Sequence, residues 1–489
     1  MAIQPRLELL SQETIQRILA EAFLLLSDPG IKVQSVQARE LLAEGGAQVD
    51  DRQQVVKIPA DLVNQALESA PRSFRLYNRS GEPIVKYGGD SVHFDPGSSA
   101  IHVLDPETLE HRPSQTADLI RIVKVAETLP QYDAQSTAVV CNEVPKEIGD
   151  LYRLYIVLLY SAKPIVTGAF TTNSTQTMFD MLALLAGDRK ALVEKPQAIF
   201  DVCPSPPLIW SEFGAQNLIE LARSGVPAEI VAMPLAGAAA PVTLLGSVVQ
   251  HAAECLSGIT IHQLARPGSP VVWGGAPAIF DMRKGTTPMG AIETAMMDVC
   301  NAQVGKSLGL PTHAYLGASD AKIVDAQAGL ESGMSAMIGA LGGINMISGA
   351  GMLDFLACQS VEKLVIDAEA IAMTKRLAAG VEARTETLAL EFFAGINFRG
   401  DFLKQKATRE LFPKEQYLPS PVIDRDTLRG WQQAGGPDAF LRAKERVRQL
   451  LESYEPPRTP PEIIRELNHL VEHKAREFDI GNVSLINQV

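Results

Sequence analysis

The sequence predicts an α/β protein built on a (β/α)8 TIM barrel, with an N-terminal α+β extension and a C-terminal helical region. From about residue 133, eight short apolar runs alternate with amphipathic helical patterns. Continuous apolar strands joined by helices indicate a parallel sheet that helices cover. A chain of 489 residues, 46% hydrophobic, is long enough for a barrel of roughly 250 residues with additions.

The predicted barrel strands are short apolar runs that end in small or polar residues. They are Ser136–Cys141, Pro164–Ala169, Ala198–Cys203, Ala228–Met233, Ile259–Leu264, Val271–Trp273, His313–Leu316 and Ile344–Ile347. Helical patterns cover 147–160, 174–186, 213–223, 241–256, 289–307, 327–341 and 360–379. Only six residues separate Leu264 from Val271, whereas a parallel crossover normally needs about a dozen. Either that crossover is compressed, or one of the two runs is not a barrel strand.

The chain divides into three predicted regions. Residues 1–130 read as the α+β extension, with short strands that include one around Val92–Phe94. Residues 131–385 hold the barrel. Residues 386–489 end in a predicted helix from Glu462 to about Phe478. We expect this last region to cover the barrel or to make an oligomer contact, and we expect a homo-oligomer.

Composition excludes several classes of partner. The net charge of −13, with dispersed acids, argues against nucleic acid, which requires basic stripes. The five cysteines are isolated along the chain, which is typical of a reducing compartment. The N-terminus has no signal-peptide pattern, and no run of 18 apolar residues predicts a membrane span. The sequence therefore predicts a cytoplasmic protein.

Barrel chemistry lies on the loops that follow the strands, and here those loops contain few titratable groups. Glu143 and Asp320 are candidate carboxylates, and each either supplies a negative field near a cation or caps a helix. The run His469–His473 matches the inverted zincin pattern HxxEH. It lies on a charged helix outside the predicted barrel and has no third ligand, so we expect no metal site.

Aromatic residues make up only 6% of the chain, which draws attention to those at predicted strand ends or in the N-terminal hairpin. They are Phe94, Phe170, Trp210, Phe213, Trp273, Phe280, Tyr315 and Phe355. A cluster of such rings with few charges is suited to a quaternary ammonium group, through cation–π attraction. The alternative interpretation of each ring is core packing.

Four segments together resemble the trimethylamine methyltransferase family, in order from about residue 90 to 420. They are FDPGSSAIHVLDPETLEHRPSQTADL, CPSPPL, PLAGAAAPVTLLGSVVQHAAECLSGITIHQLARPGSPVVWGG and SDAKIVDAQAGLESGMSAMIGALGGINMISGAGMLD. The resemblance implies a (β/α)8 barrel. It also implies transfer of a methyl group from a methylamine to the Co(I) of a corrinoid (cob(I)alamin) carried by a separate protein. It implies no intrinsic metal.

The sequence departs from the founding members of that family in two respects. Those members carry pyrrolysine at the catalytic site, and its equivalent here falls near Gly317 and Ala318, which are ordinary residues. The pyrrolysine-free branch is associated with quaternary amines such as glycine betaine, proline betaine and carnitine. Relatives often have histidines near Phe402–Thr408, where this chain has Gln405 and Ala407.

We therefore expect a glycine betaine:corrinoid methyltransferase. The substrate carboxylate would need a donor, and the candidates are His262, Gln263, Arg283 and main-chain NH groups. His262 is equally interpreted as a core histidine. The alternatives are a trimethylamine enzyme, a non-catalytic quaternary-amine binding protein, and an unrelated barrel enzyme such as a lyase. A lyase should have clustered acid and base residues at strand ends, where they are sparse here.

Overall fold

A computed structural model describes residues 4–171, 174–396, 398, 400–481 and 483–486. Its central feature is a set of eight parallel strands whose residues are almost all buried. In chain order the strands are His93–Pro96, Gln135–Ser136, Ile165–Gly168, Ala198–Val202, Ala228–Ala232, Val271–Gly275, His313–Ala314 and Met346–Ala350. Burial on both faces explains why these strands read as continuous apolar runs rather than as alternating ones.

The eight strands form two parallel ladders that meet at both edges. Five strands between residues 135 and 275 form one ladder, and the strands at 313–314, 346–350 and 93–96 form the other. A parallel bridge from Trp273 to Thr312 joins them on one side. On the other side, the Asp133 backbone N–H donates to the Phe94 carbonyl at 2.8 Å. The predicted α/β class is confirmed, with two linked ladders instead of one continuous sheet.

One predicted barrel strand is wrong. Ile259–Leu264 lies inside the buried helix Leu244–Ala265. The short segment between Leu264 and Val271 therefore connects a helix to a strand and is not a crossover between two strands. Short apolar runs do not distinguish a buried strand from a buried helix, because both are apolar on all sides. The missing eighth strand is His93–Pro96, which pairs in parallel with Met346–Ala350. This strand lies before residue 131, in the region predicted as the α+β extension. The division into three regions stays a prediction.

A helix follows each of the eight strands. These helices are Thr116–Thr128, Gly149–Tyr160, Ser174–Ala186, Glu212–Ser224, Leu244–Ala265, Ile292–Ser307, Ala326–Leu341 and Val361–Ala378. Several begin at a side-chain cap: Ser211 accepts from the Gly214 N–H, and Ser360 accepts from the Lys363 N–H. Such caps satisfy backbone donors that the first helical turn leaves free.

Helix Leu244–Ala265 has the length and apolar composition of a membrane span, and it is the one such helix among the described residues. Within the protein, however, 83% of its most apolar window is buried. Neighbouring helices, including Gln12–Ser27, Ala60–Ser69 and Glu212–Ser224, contact it. Its apolar character on every side is therefore explained by its position in the core.

A hairpin closes the amino end of the parallel strands. The antiparallel strands Phe74–Tyr77 and Pro83–Tyr87 bring Leu76, Val85 and Tyr87 into one buried cluster with the strand residues Val166, Ile199, Val272 and Met346. The Asn345 amide group donates to the carbonyls of Gly89 and Ser91. The interior is consequently sealed at this end, which leaves the carboxyl end for ligands.

The remaining elements surround this centre. The other helices are Gln12–Ser27, Val36–Glu44, Ala60–Ser69, Arg189–Glu194, Leu390–Phe393, Lys406–Glu415, Leu428–Gln433, Ala439–Ser453 and Pro461–Glu477, with 3-10 turns at Lys146–Ile148 and Asp401–Lys404. The other strands are Ile31–Val33, Gln48–Asp50, Val55–Lys57, His102–Leu104, His111–Pro113, Ile209–Trp210, Leu235–Ala236, Ala278–Ile279, Met352–Leu353 and Cys358–Gln359. Helices Ala439–Ser453 and Pro461–Glu477 pack on helices that follow the parallel strands.

Two glycine-to-alanine substitutions should change stability in opposite directions. A Cβ at Gly258, in helix Leu244–Ala265, would lie 2.6 Å from Trp210 Cζ2 and 2.8 Å from Ile230 Cδ1. Because Trp210 is buried and donates to Ser257, it cannot move aside. We expect Gly258→Ala to lower the free energy of unfolding by about 2 kcal/mol, from overpacking.

Gly329→Ala is the matched control, because a Cβ at this helical position meets nothing within 4 Å. It should raise the free energy of unfolding by about 0.5–1 kcal/mol through helix propensity alone. Urea denaturation followed by circular dichroism measures both values. A stabilising Gly258→Ala would contradict the described packing of helix 244–265 against Trp210.

Candidate active site

Two acidic residues lie within buried strands, on the side that faces the interior. In the strand sequence AIFDV, Phe200 contacts Phe179 of an outer helix, with ring centroids 5.5 Å apart, so Phe200 points outward. Side chains alternate along a strand, and the neighbouring Ile199 and Asp201 therefore point inward. Glu229 in the adjacent strand also points inward, since it accepts a hydrogen bond from the hairpin that closes the interior.

Asp201 and Glu229 are surrounded by hydrogen-bonding groups. The Tyr315 hydroxyl donates to Asp201 Oδ2 at 3.1 Å, and the Tyr87 hydroxyl donates to Glu229 Oε2 at 3.3 Å. His313 Nδ1 lies 3.1 Å from Glu229 Oε1, although the two atoms are not aligned for a hydrogen bond. The rings of His313 and Tyr315 contact each other edge-on, with centroids 5.0 Å apart.

Serine hydroxyls extend this network in two directions. His313 Nε2 lies 3.1 Å from Ser348 Oγ, whose hydroxyl donates to Asp95 Oδ1. Toward the carboxyl end, Ser98 Oγ lies 2.8 Å from the Tyr315 hydroxyl. The structure thus brings together eight polar side chains from segments that are far apart in the sequence.

Burial controls the charge of this network. Desolvation raises the pKa of Asp201 to about 6, despite hydrogen bonds that favour the carboxylate. It also raises the pKa values of Glu229 and Asp95 well above their usual range, and nearby carboxylates add to the effect. Desolvation lowers the pKa of His313 to about 3. The charge of Asp201 further raises the pKa of Glu229, so the negative charge of this pair lies on Asp201, and one such charge suits a single cationic ligand.

The carboxyl end of the interior is lined by apolar side chains and one arginine. Val231, Ala276, Ala278 and Met289 pack around Tyr315 in a small buried cluster. Nearby, Arg153 of helix Gly149–Tyr160 donates from Nη1 to Ser99 Oγ at 2.9 Å and to the Thr137 carbonyl at 3.2 Å. The Phe170 ring stacks 5.4 Å from its guanidinium carbon. We call this region, from Asp201 to Arg153, the interior site.

Of the predicted aromatic residues, the structure brings Tyr315 and Phe170 to the interior site. Phe94 points away from it, because its ring lies 5.7 Å from Lys375 Nζ on an outer helix. Phe94 also lines a cavity of about 640 Å³ together with Arg6, Asp90 and Lys306, and none of the interior acids reaches that cavity.

The other predicted rings are core or peripheral. The Trp210 indole donates to Ser257 Oγ at 2.9 Å and is 1% exposed, so it packs in the core. Trp273 faces outward toward His251 of helix Leu244–Ala265. Phe213, half-buried, lies on helix Glu212–Ser224. Phe280 is half-buried on the carboxyl side, where its backbone N–H donates to Ala236, and Phe355 lies under Lys322.

The predicted carboxylates both hold backbone in place. Exposed Glu143 accepts from the Thr116 N–H at 2.7 Å, so it caps helix Thr116–Thr128. Asp320 accepts from the N–H groups of Met289 and Gly290 at 2.8 and 3.0 Å, and desolvation raises its pKa to about 6. The capping interpretation describes Glu143, whereas Asp320 holds the loop that precedes helix Ile292–Ser307.

Gly317 and Ala318 do not form an open surface. Both are buried, and a Cβ on Gly317, at φ +83°, would point at Ala336 of an outer helix. These two positions, near which the resemblance places the equivalent of pyrrolysine, are therefore packed inside the protein. These residues are small because strand ends pack tightly there: a Cβ on Gly349 would lie 2.4 Å from the Leu316 carbonyl oxygen.

The predicted carboxylate donors also lie elsewhere. His262 and Gln263 belong to the buried helix Leu244–Ala265, where Gln263 bonds to Ser269 and Ser69. Desolvation lowers the pKa of His262 to about 3, as for a core histidine. Arg283 is exposed and pairs with Asp281 at 2.8 Å.

No three His, Cys, Asp or Glu side chains of the described residues are arranged to hold a metal ion. His469 and His473 lie on helix Pro461–Glu477, with ring centroids 6.3 Å apart, and His473 pairs with Glu477. The HxxEH match is thus part of a solvated helix face that contributes nothing to the interior site.

The sequence contained a signal for the residues that were missed. Asp95, Asp201 and Glu229 each interrupt an apolar segment that is otherwise typical of a buried strand. A charged residue in such a segment is costly unless it has polar partners. It therefore marks a polar interior, whereas the loops that follow the strands contain little of the chemistry.

Comparison with solved structures assigns the fold to a TIM-barrel-like α/β class. The Methanosarcina barkeri monomethylamine methyltransferase superposes with a TM-score of 0.52 at 11% identity, covering 91% of this chain and 89% of that one. This similarity concerns the fold alone. The chain belongs to the trimethylamine methyltransferase (MTTB) family, whose model matches residues 2–479.

Individual relatives cover nearly the whole chain. A trimethylamine methyltransferase of Desulfitobacterium hafniense is 30% identical, over 96% of this chain and 95% of its own length. One from Methanosarcina mazei is 32% identical, over 97% of both chains. A glycine betaine methyltransferase of Desulfitobacterium hafniense is 29% identical, over 97% and 98%. The protein is therefore a methyltransferase, and the family suggested by the sequence is confirmed.

Replacing Asp201 should change how stability depends on pH. Because the pKa of Asp201 is raised in the folded state, folding retains its proton, and the wild type loses stability as pH rises through about 6. Asp201→Asn removes this loss. Its free energy of unfolding, relative to wild type, should increase by up to about 3 kcal/mol between pH 4 and 7.

Asp281→Asn is the control, because hydrogen bonds from Arg283 lower the pKa of Asp281 to about 2. The difference between this variant and wild type should stay constant above pH 5. Urea denaturation at several pH values measures both differences. A pH-independent difference for Asp201→Asn would show that Asp201 is ionised at the same pH in the folded and unfolded chains.

Proposed function

We propose that the protein transfers a methyl group from a quaternary amine, with glycine betaine as the first candidate, to the Co(I) of a corrinoid carried by a partner protein. The interior site carries this proposal: one buried carboxylate, Asp201, faces a small apolar region at the carboxyl end of the strands. Family membership and the glycine betaine methyltransferase relative support it. We further propose that the eight strands act as a (β/α)8 barrel.

The charge of the site fits a cationic methyl donor. Ionised Asp201 attracts an ammonium group, while the hydrogen bond from Tyr315 disperses its charge. Loss of the methyl group converts the quaternary ammonium to a neutral amine, so the attraction weakens along the reaction. A dispersed charge limits this ground-state stabilisation, which would otherwise raise the barrier.

The chemistry of the leaving amine determines whether the site needs a proton donor. When the C–N bond of a quaternary amine breaks, its electron pair stays on nitrogen and no proton is needed. The corrinoid, when docked, would supply the two-electron nucleophile that accepts the methyl group. The residues of this chain then have to hold the amine in line and exclude water, and a buried cluster of neutral groups around Tyr315 suits that task.

The carboxyl end also fits a docked partner. Several large apolar side chains are exposed on the loops that follow the strands, namely Met233, Val242, Met282 and Ile323, with exposed fractions of 38%, 68%, 66% and 42%. Exposed apolar clusters of this kind commonly mark contact surfaces. They suit a partner that delivers a flat apolar macrocycle to the site.

A trimethylamine substrate is the second candidate. Most of the relatives described above are trimethylamine methyltransferases. Burial and the charge of Asp201 raise the pKa of Glu229 well above its usual range, so Glu229 would be a proton donor for a neutral tertiary amine. Cytoplasmic location and a homo-oligomer also remain proposals.

Methyl transfer to free cob(I)alamin tests the proposal. Purified protein should convert cob(I)alamin to methylcobalamin with glycine betaine, measured by absorbance, and more slowly with trimethylamine. Tyr315→Phe removes the hydrogen bond to Asp201 and should lower kcat/KM by roughly 10-fold, as expected for loss of one hydrogen bond to a charged group.

Tyr454→Phe is the matched control. That tyrosine donates to the Tyr160 carbonyl far from the interior site, and its replacement should leave kcat/KM unchanged. Tight binding of quaternary amines with no methylcobalamin from any amine would refute the proposed methyl transfer to a corrinoid and favour a role in amine binding.

A further inference from the structure

Arg153 is a buried guanidinium without an acidic partner. Only 4% of its surface is exposed, yet no carboxylate of the described residues lies within ion-pair distance, 4 Å. Two other buried or half-buried arginines have such partners: Arg39 pairs with Asp51 at 2.8 Å, and Arg121 pairs with Glu362 at 3.0 Å. The half-buried Arg79 has none, but its Nη2 donates to two carbonyls, those of Leu158 and Ser161. Burying an unpaired charge is costly, so the position of Arg153 requires an explanation.

The nearest acid is already engaged elsewhere. Asp150 Oδ2 accepts from the N–H groups of Phe170 and Thr171 at 2.7 and 3.0 Å, and its oxygens also bond to the Thr171 hydroxyl. Asp150 holds the loop after strand Ile165–Gly168 and does not bond to Arg153. The guanidinium nevertheless remains protonated, because arginine keeps its charge even when buried.

One edge of the guanidinium is unused. Arg153 Nη1 donates to Ser99 Oγ and to the Thr137 carbonyl. The N–H groups on Nε and Nη2 donate to no acceptor among the described residues. These two nitrogens form the planar fork that binds a carboxylate through two parallel hydrogen bonds. The Phe170 ring lies over the guanidinium and restricts the approach of water to one face.

Arg153 and Asp201 belong to one site. Ser99 holds Arg153, and the adjacent Ser98 contacts the Tyr315 hydroxyl at 2.8 Å. Tyr315 in turn donates to Asp201. A positive charge and a negative charge therefore lie at the two ends of a short path, made of three hydrogen bonds and the peptide link between Ser98 and Ser99.

We propose that Arg153 binds the carboxylate of the substrate, so that the interior site selects zwitterions that combine an N-methylated ammonium with a carboxylate. This proposal rests on the function proposed above and names its substrate class. The ammonium lies toward Asp201 and the carboxylate lies on the free edge of Arg153. A substrate carboxylate would supply the partner that the buried guanidinium lacks.

Binding measurements with two quaternary amines test this assignment. Isothermal titration calorimetry compares glycine betaine with tetramethylammonium, which has the same ammonium group and no carboxylate. Wild-type protein should bind glycine betaine more tightly. Arg153→Gln should weaken glycine betaine binding by about 10- to 100-fold, the range for hydrogen bonds to a charged group, and should leave tetramethylammonium binding within about 2-fold.

Two further variants complete the test. Arg153→Lys keeps the buried charge but loses the fork, so glycine betaine binding should fall by about 10-fold; it also serves as the test variant if Arg153→Gln no longer unfolds cooperatively. Arg448→Gln removes an arginine from an exposed helical ion pair and should bind both amines like wild type. Equal weakening of both amines by Arg153→Gln would show that the arginine only holds Ser99 and Thr137, and would overturn the proposal.

The methyl-transfer assay separates this proposal from the one on which it rests. Methylcobalamin formed from tetramethylammonium or trimethylamine, without any preference for glycine betaine, would preserve the methyltransferase and overturn the carboxylate site. Arg153-dependent binding of glycine betaine with no methylcobalamin from any amine would preserve the carboxylate site and overturn the corrinoid-dependent reaction.

Discussion

The burial of Asp201 beside Glu229 is the constraint on which the rest of the site depends. Two carboxyl groups in a dry interior cannot both ionise, because each charge loses hydration and repels the other. In this protein the two carboxyl groups have different partners. Tyr315 donates to the ionised Asp201, and Tyr87 donates to Glu229. The hairpin therefore closes the amino end of the strands and also supplies Tyr87, whose hydroxyl bonds to Glu229.

The helices of this fold were largely predictable from sequence, because a period of 3.6 residues over ten or more positions is a strong signal. The strands were less predictable. Ile259–Leu264 has the composition of a buried strand and lies in a buried helix, while the true strand His93–Pro96 contains only four residues. Local pattern does not decide such segments, since pairing with Met346–Ala350, some 250 residues away, determines the outcome.

The candidate site was predicted less well than the fold, for a reason that Phe94 illustrates. A residue at a strand end faces either the interior or the outer helices, and the choice depends on register, which a single sequence does not specify. Phe94 and its neighbour Asp95 differ by one position and lie on opposite sides. The acids inside the strands were predictable in principle, because a buried charge requires a partner, and that rule needs no knowledge of register.

Under the proposed function, cation recognition would depend on groups other than those expected from the sequence. A cage of rings was expected, but only Tyr315 and Phe170 lie at the interior site, and the Phe170 ring stacks on Arg153. A carboxylate and a guanidinium then replace the cage as the main charges. A zwitterion matches both without adding net charge to the interior, so burying the whole ligand costs less than burying a lone cation. The same pairing holds the ligand at two points, and two-point attachment fixes the direction of its methyl groups, which an in-line transfer requires.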